Sequence, residues 1–153
     1  MRRSSFIKII FFAIIFLFFN ETFSQYSKSH YIPPITTTGG GAASPLDQYI
    51  YVSTPSETPV NVTIRPLGSE EISGLVSNSN PWAYFIGTGN ETNLIVNTNS
   101  LNGSVFNNKG FIVESDNLIY VSVRLFSGSY YQAGTIVSKG TAALGTEFRA
   151  GSF

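Results

Sequence analysis

The sequence contains no cysteine and a single histidine, His30. Without cysteine, the chain has no thiol nucleophile, no thiolate ligands for a metal and no N-terminal cysteine for lipid attachment. A histidine that works in catalysis or binds a metal needs partner side chains. No Ser-His-Asp order and no cluster of metal ligands accompanies His30. The sequence therefore predicts a protein that is not an enzyme and uses no cofactor and no metal.

Long apolar runs are also missing, apart from eleven residues at positions 9–19. A transmembrane helix needs about 20 apolar residues to cross about 30 Å of hydrocarbon. A shorter run after a basic segment is typical of a secretory signal peptide, and Thr22 and Ser24 supply the small side chains expected before a cleavage site at Gln25. We therefore favour a cleaved signal peptide over a membrane anchor. The mature chain is then exported, to the cell surface or the extracellular space, with no transmembrane span.

Charged residues make up only 12% of the chain, and the formal net charge is zero. The first 24 residues hold three of the nine basic residues and one of the nine acidic residues. The remainder therefore has 9 − 3 = 6 basic and 9 − 1 = 8 acidic residues, a net charge of −2. Such a chain has no basic surface for nucleic acid or an anionic membrane. A protein or glycan ligand at the cell surface is the partner that we expect.

Strand patterns are dense from Gln48 onwards. Val60, Val62 and Ile64 alternate with polar residues, which is typical of a strand with one buried face. In residues 118–125 the same alternation predicts that Val121 and Val123 point inwards and Arg124 outwards. Turn signals recur roughly every 8–12 residues, the spacing of a sandwich or a barrel. The predicted fold class is all-β, an antiparallel β-sandwich of an Ig-like or jelly-roll-like type that follows the signal peptide.

Two local features carry finer predictions. Gly74 interrupts a strand pattern, which indicates a bulge or a bend. The sequence SDN at residues 115–117 is a strong turn cluster, so we expect it to separate two strands of a hairpin.

We divide the chain into four segments on these grounds. Residues 1–24 are the signal peptide, and residues 25–47, rich in Pro and Gly, form an extended, flexible segment. Residues 48–140 form the β-sandwich. Residues 141–153 read as a strand that either closes this domain or begins a following one. We favour the second alternative, in which the chain is a fragment of a longer protein.

Aromatic residues are the best candidates for ligand contacts. Trp82, with Tyr84 and Phe85, is a possible platform for stacking on a sugar. Tyr130 and Tyr131 lie between two glycines and are adjacent, so one of them is expected to be exposed at the tip of a loop. The alternative is that these rings only pack in the core and across strands.

Two pairs of carboxylates are candidates for acid–base catalysis: Glu70 with Glu71, and Glu114 with Asp116. A glycosidase holds two carboxylates about 5–10 Å apart across a cleft. Pairing across strands is possible, but we favour solvated turn residues for both pairs.

Three motifs occur in order near the C-terminus: NKGFIVES, LIYVSV and ALGTEF. In this order they resemble the IgGFc-binding protein N-terminal domain. Residues 25–153, including HYIPPIT and PLDQYIYVSTPS, are also similar to the N-termini of large surface proteins of gliding-type bacteria, which often end in a sorting domain for type IX secretion. The resemblance implies a β scaffold without an active site. It suggests a non-enzymatic module of a cell-surface adhesion or interaction protein. The alternative is a carbohydrate-binding module or an accessory domain of a secreted hydrolase.

Overall fold

The computed structural model describes residues 25–36, 45–97, 105–127 and 133–143. These ranges contain strands and one 3-10 helix, and no α-helix. In chain order the elements are β1 (Ser27–Ile32), β2 (Ile35–Thr36), β3 (Pro45–Ser53), β4 (Val60–Pro66), β5 (Ile72–Val76), β6 (Trp82–Thr88), β7 (Ile95–Val96), β8 (Phe111–Ser127), β9 (Ala133–Ser138) and the 3-10 helix Gly140–Ala143.

Strand β8 connects the whole architecture because it belongs to two sheets. Its first half pairs with β1 on one side and β4 on the other, and β5 extends that sheet beyond β4. Its second half pairs with β3 and β9, and β6 extends that sheet beyond β3. All of these pairings are antiparallel, whereas the short strands β2 and β7 pair in parallel. The prediction of an all-β, antiparallel fold is confirmed.

The expected turn at residues 115–117 is wrong, because β8 runs through this position as one strand of 17 residues. The polar residues serve a change of partner instead. Ser115 is the last residue that pairs with β4, and Tyr120 is the first that pairs with β3. Between them Asp116 accepts a hydrogen bond from Asn61 Nδ2, at 2.6 Å, and the Asn117 side chain accepts one from the Leu118 amide, at 2.8 Å. One of these bonds is local and the other reaches β4, and together they satisfy polar groups where the strand leaves one sheet and enters the other.

The core lies between the two sheets and follows the predicted alternation. Val60, Val62 and Ile64 of β4 are all buried, and so are Val121 and Val123 of β8, whereas Arg124 is exposed. This confirms the predicted orientation of β8. Both sheets contribute to one cluster of buried side chains: Ile32, Ile50, Val52, Val60, Val62, Ile64, Val76, Leu94, Ile95, Phe111, Val113, Ile119, Val121 and Val123. Each fully buried side chain of this size stabilises the fold by about 1.5–3 kcal/mol relative to an exposed one.

Of the two predicted alternatives at Gly74, a bulge or a bend, the bulge is wrong, because β4 and β5 pair in an unbroken register with Val62 opposite Gly74. The missing side chain makes room for an aromatic ring. A Cβ atom at position 74 would lie 3.1 Å from the nearest atom of the Trp82 ring. The glycine therefore lets the indole of β6 pack closely over β5.

The N-terminal part of the described chain belongs to the sheets. Strand β1 pairs with β8 from Ser27 to Ile32, and the 3-10 helix near the end of the described chain lies against β1, where the Thr141 amide donates a hydrogen bond to Ser27 Oγ. The proposed signal peptide and residues 144–153 are outside the described residues. In the described part of the chain, no helix combines the length and apolar character that crossing a membrane requires.

Candidate interaction surface

The second sheet, formed by β6, β3, β8 and β9, carries apolar side chains on both faces. Along β3 the buried residues Gln48, Ile50 and Val52 alternate with Tyr49 and Tyr51, which are only partly buried. Because successive side chains of a strand point to opposite faces, both tyrosines lie on the side of the sheet away from the core. On this outer side β3 carries tyrosines at positions where a strand with one solvent-exposed face usually carries smaller polar residues.

The pairing of the strands brings further side chains to the same outer side. Tyr49 has Phe85 of β6 and Arg124 of β8 as its cross-strand neighbours. Phe126 lies two residues beyond Arg124 on β8 and shares its face. We call the five residues Tyr49, Tyr51, Phe85, Arg124 and Phe126 the outer aromatic face.

Contacts among the rings make this face a connected cluster. The centroid of the Tyr49 ring lies 5.2 Å from that of Phe85, 5.9 Å from that of Tyr51 and 6.2 Å from that of Phe126. The guanidinium carbon of Arg124 lies 5.4 Å from the centroid of the Tyr51 ring. Tilted and edge-to-face pairs of this kind contribute about 0.5–1.5 kcal/mol each, and an exposed cation–π contact about 0.5–1 kcal/mol. These contacts hold the rings in place without removing them from solvent.

The exposure of the cluster is what makes it a candidate site. Phe85 is 49% exposed and Phe126 is 39% exposed. A contiguous apolar patch on a folded protein commonly marks a binding surface. At one end of the face, Asp47 accepts a hydrogen bond of 2.8 Å from the Thr88 hydroxyl. The face therefore offers aromatic rings and the cation Arg124, and the anion Asp47 lies at its edge.

The sequence-predicted ligand contacts have different positions. Trp82 is opposite the buried Val52 and is half-buried among the residues that pack on the core. Its ring lies 6.1 Å from that of Tyr84, whereas Phe85 is on the other side of β6. The structure therefore brings Trp82 and Tyr84 together and separates Phe85 from them. Tyr130 and Tyr131 lie outside the described residues. A ligand contact at Trp82, Tyr130 or Tyr131 remains a prediction.

Sequence reasoning missed Tyr49, Tyr51, Phe126 and Arg124 as possible site residues. A signal was present in QYIYVS, where aromatic residues alternate with aliphatic ones. A strand with one wet face places polar residues at every second position. Aromatic residues at those positions indicate a second apolar face, and the remaining members were recognisable only from the strand pairing.

His30 is fully buried and has a structural environment. Its Nε2 lies 3.0 Å from the Ile119 carbonyl oxygen, and its Nδ1 lies 3.1 Å from the Ser138 hydroxyl. The carbonyl can only accept, so Nε2 carries the proton and Nδ1 accepts from Ser138. Burial lowers the pKa of His30 below its ordinary value. The neutral ring thus ties β1 to β8 and β9.

Glu71 and Glu114 are brought together by Arg65, and the three side chains line a concavity of about 220 Å³. Arg65 Nε lies 2.5 Å from Glu71, and its Nη2 lies 3.1 Å from Glu114. The hydrogen bond to Glu71 is the main reason that the pKa of Arg65 is raised above its ordinary value. All three side chains are exposed, and the single positive charge of the arginine offsets one of the two negative charges. Among the described residues, no group of three or more histidine and acidic side chains is placed to hold a metal ion.

Two larger concavities are formed by other described residues. One, of about 290 Å³, is apolar and lies between β1 and β9 beside Tyr31 and Ile136. The other is a cleft of about 370 Å³ between β5 and β6. Tyr84 lines this cleft, and burial raises the pKa of its phenol. Polar groups line it as well: Ser69, Glu70, Thr88, Glu91, Thr92 and Asn93.

Comparison of the chain with protein-family models, with curated proteins and with solved structures finds no match.

Proposed function

We propose that this chain is a non-enzymatic, exported β-sandwich module of a cell-surface adhesion or interaction protein. The observation that carries the proposal is the outer aromatic face. Tyrosine, phenylalanine and arginine are enriched in the centres of protein interfaces, where lysine and acidic residues are depleted. Tyrosine and arginine are also among the residues that contribute most to binding energy. A partner that covers Phe85 and Phe126 would remove apolar area that folding alone leaves in water.

The framework beneath the face supports the same function. Tyr49 and Tyr51 alternate with the fully buried Gln48, Ile50 and Val52. Gln48 is held by hydrogen bonds on both ends of its amide: Nε2 donates to the Gly89 carbonyl at 2.6 Å, and Oε1 accepts from the Thr92 hydroxyl at 2.6 Å. A rigid strand that presents aromatic rings loses little conformational entropy when a partner binds.

Attachment of cells provides the test. Cells that export the protein are compared with cells that export the double variant Tyr49→Ser, Phe85→Ser. We expect the double variant to be exported and folded but to support far less attachment. Leu75→Ser is the matched control, because Leu75 is 58% exposed on β5 in the other sheet. Equal attachment by the double variant and the wild type would overturn the proposal.

A carbohydrate-binding module is the second candidate, and the cleft between β5 and β6 is the observation that favours it. Sugars are bound by an aromatic ring for stacking together with hydroxyl, amide and carboxylate groups for hydrogen bonding. The cleft combines Tyr84 with Glu70, Glu91 and Asn93, and Trp82 lies next to the Tyr84 ring. Binding to a glycan array that is lost in Glu91→Gln and Asn93→Ala, but kept in the outer-face double variant, would favour this candidate.

A further inference from the structure

The partner of the outer aromatic face can be inferred from the arrangement of its charges and rings. We propose that it is a second copy of this chain, docked face to face about a two-fold axis. The inference rests on the proposed function, since it names the partner of the same surface.

The four nearest positions around Tyr49 determine the geometry. Arg124 and Phe85 lie across the neighbouring strands, at the usual strand spacing of about 4.8 Å. Asp47 and Tyr51 lie two residues away along β3, at about 6.8 Å. The register of β3 against β8 shifts between Pro45 and Gln48, so the position of Asp47 is taken from β6: Asp47 pairs with Thr88 and accepts a hydrogen bond from its exposed hydroxyl. Across the sheet, Tyr49 therefore lies between the cation Arg124 and the ring of Phe85. Along β3, it lies between the anion Asp47 and the ring of Tyr51.

This pattern is self-complementary. Consider a two-fold axis that lies in the plane of the interface and runs diagonally over Tyr49 and Phe126. Rotation about this axis turns the strand direction of one copy into the across-strand direction of the other. It places the β8 position of Arg124 over Asp47 of the other copy, and Phe85 over Tyr51. The Arg124 side chain, which contacts the Tyr51 ring in the single chain, turns towards the partner's Asp47 in the dimer. Phe126, whose ring is 6.2 Å from Tyr49, lies on the axis and meets its own counterpart. Because the operation is two-fold, each contact occurs twice.

The resulting arrangement is one that sheets adopt. Exchanging the two directions makes the strands of the two copies cross at about 90°, which is the orthogonal mode of sheet packing. Four strands and about six residues per strand give a face on the order of 400 Å² in projection. Stable complexes bury about 800 Å² of accessible surface per partner. We therefore expect a weak dimer, suited to many copies acting side by side on a surface.

Charge reversal at the paired positions tests the inference. Sedimentation velocity over a concentration series of the purified exported chain is expected to show a reversible monomer–dimer equilibrium. Arg124→Asp and Asp47→Arg each place like charges together, so each should raise the dimer dissociation constant about tenfold or more. The double variant Arg124→Asp, Asp47→Arg restores opposite charges and should recover most of the affinity. Lys28→Asp and Glu57→Arg are controls with the same changes of charge at exposed positions of other segments.

The outcomes separate this inference from the proposed function. Urea unfolding of each variant establishes that it is folded before its association is measured. A wild-type chain that stays monomeric at every concentration overturns the second copy as partner. Failure of the double variant to recover overturns the Arg124–Asp47 contact. If attachment of cells still depends on Tyr49 and Phe85 in either case, the surface binds a different protein or a glycan, and the proposed function stands.

Discussion

Replacing Val123, which lies at the centre of the second sheet, is expected to have far larger effects than replacing its neighbour Arg124. Val123 is 1% exposed and pairs with Ile50 on one side and Ile136 on the other. Val123→Ala removes two methyl groups, worth about 1.6 kcal/mol of transfer free energy at about 0.8 kcal/mol each. The cavity left behind adds to this, for a total loss of about 2–3 kcal/mol.

Val123→Asp should have a more severe effect, because it buries an unpaired carboxylate. Its cost of more than about 4 kcal/mol is comparable with the whole stability of a small domain, about 5–15 kcal/mol. Arg124→Ser loses only the exposed contact with the Tyr51 ring, about 0.5–1 kcal/mol.

Urea unfolding followed by circular dichroism measures these differences, at a protein concentration low enough that association does not contribute. The expected order of stability is wild type, Arg124→Ser, Val123→Ala and then Val123→Asp. Equal losses at positions 123 and 124 would show that the assigned register of β8 is wrong, since the two side chains would then share similar surroundings.

Three further predictions concern other parts of the molecule. The folded-state pKa of His30 is lowered, so the stability that its neutral form contributes is complete above about pH 6.5 and is lost as the pH falls below that value. The urea midpoint of unfolding should therefore be lower at pH 5 than at pH 7.5. Equal midpoints at the two pH values would contradict this. In His30→Gln the drop should be largely absent. Gly74→Val pushes methyl groups into the Trp82 ring, so we expect the free energy of unfolding to fall by about 1–3 kcal/mol and the fluorescence of this single tryptophan to shift. An unchanged emission spectrum and an unchanged urea midpoint would mean that the ring does not pack against position 74. Cleavage of the signal peptide predicts that N-terminal sequencing of the exported protein begins QYSKSH, and recovery of intact Met1 in a membrane fraction would support the anchor instead.

Much of the fold could be predicted from alternation alone. Val60, Val62 and Ile64 form one buried stripe, and the pattern at Val121 and Val123 gave the orientation of β8 correctly. Apolar residues at every second position show which face of a strand is buried, and this pattern can be seen within the few residues of the strand itself.

A change of pairing partner within one strand depends on residues that are distant in sequence. The wrong predictions arose where such non-local pairing decides the structure. The polar residues 115–117 have turn chemistry, yet β8 continues through them because it pairs with β4 before them and with β3 after them. Their trace in the structure is a shift in the register of β8 against β1. Gly74 similarly reads as a break in a strand, whereas its function depends on Trp82, which is distant along β6 until β5 and β6 fold together. The outer aromatic face required the same non-local knowledge, because only the pairing places Phe85 and Arg124 on either side of Tyr49.

Hydroxyl-radical footprinting on intact cells tests most directly whether the outer aromatic face is an interaction surface. The oxidation of Tyr49, Phe85 and Phe126 in the exported protein on cells is compared with that in the purified chain at low concentration. We predict that the three rings are strongly protected on cells, while Leu75, exposed in the other sheet, is oxidised equally in both samples. Equal oxidation of the three rings in the two samples would contradict the account, because a surface that is bound by a partner cannot remain open to solvent.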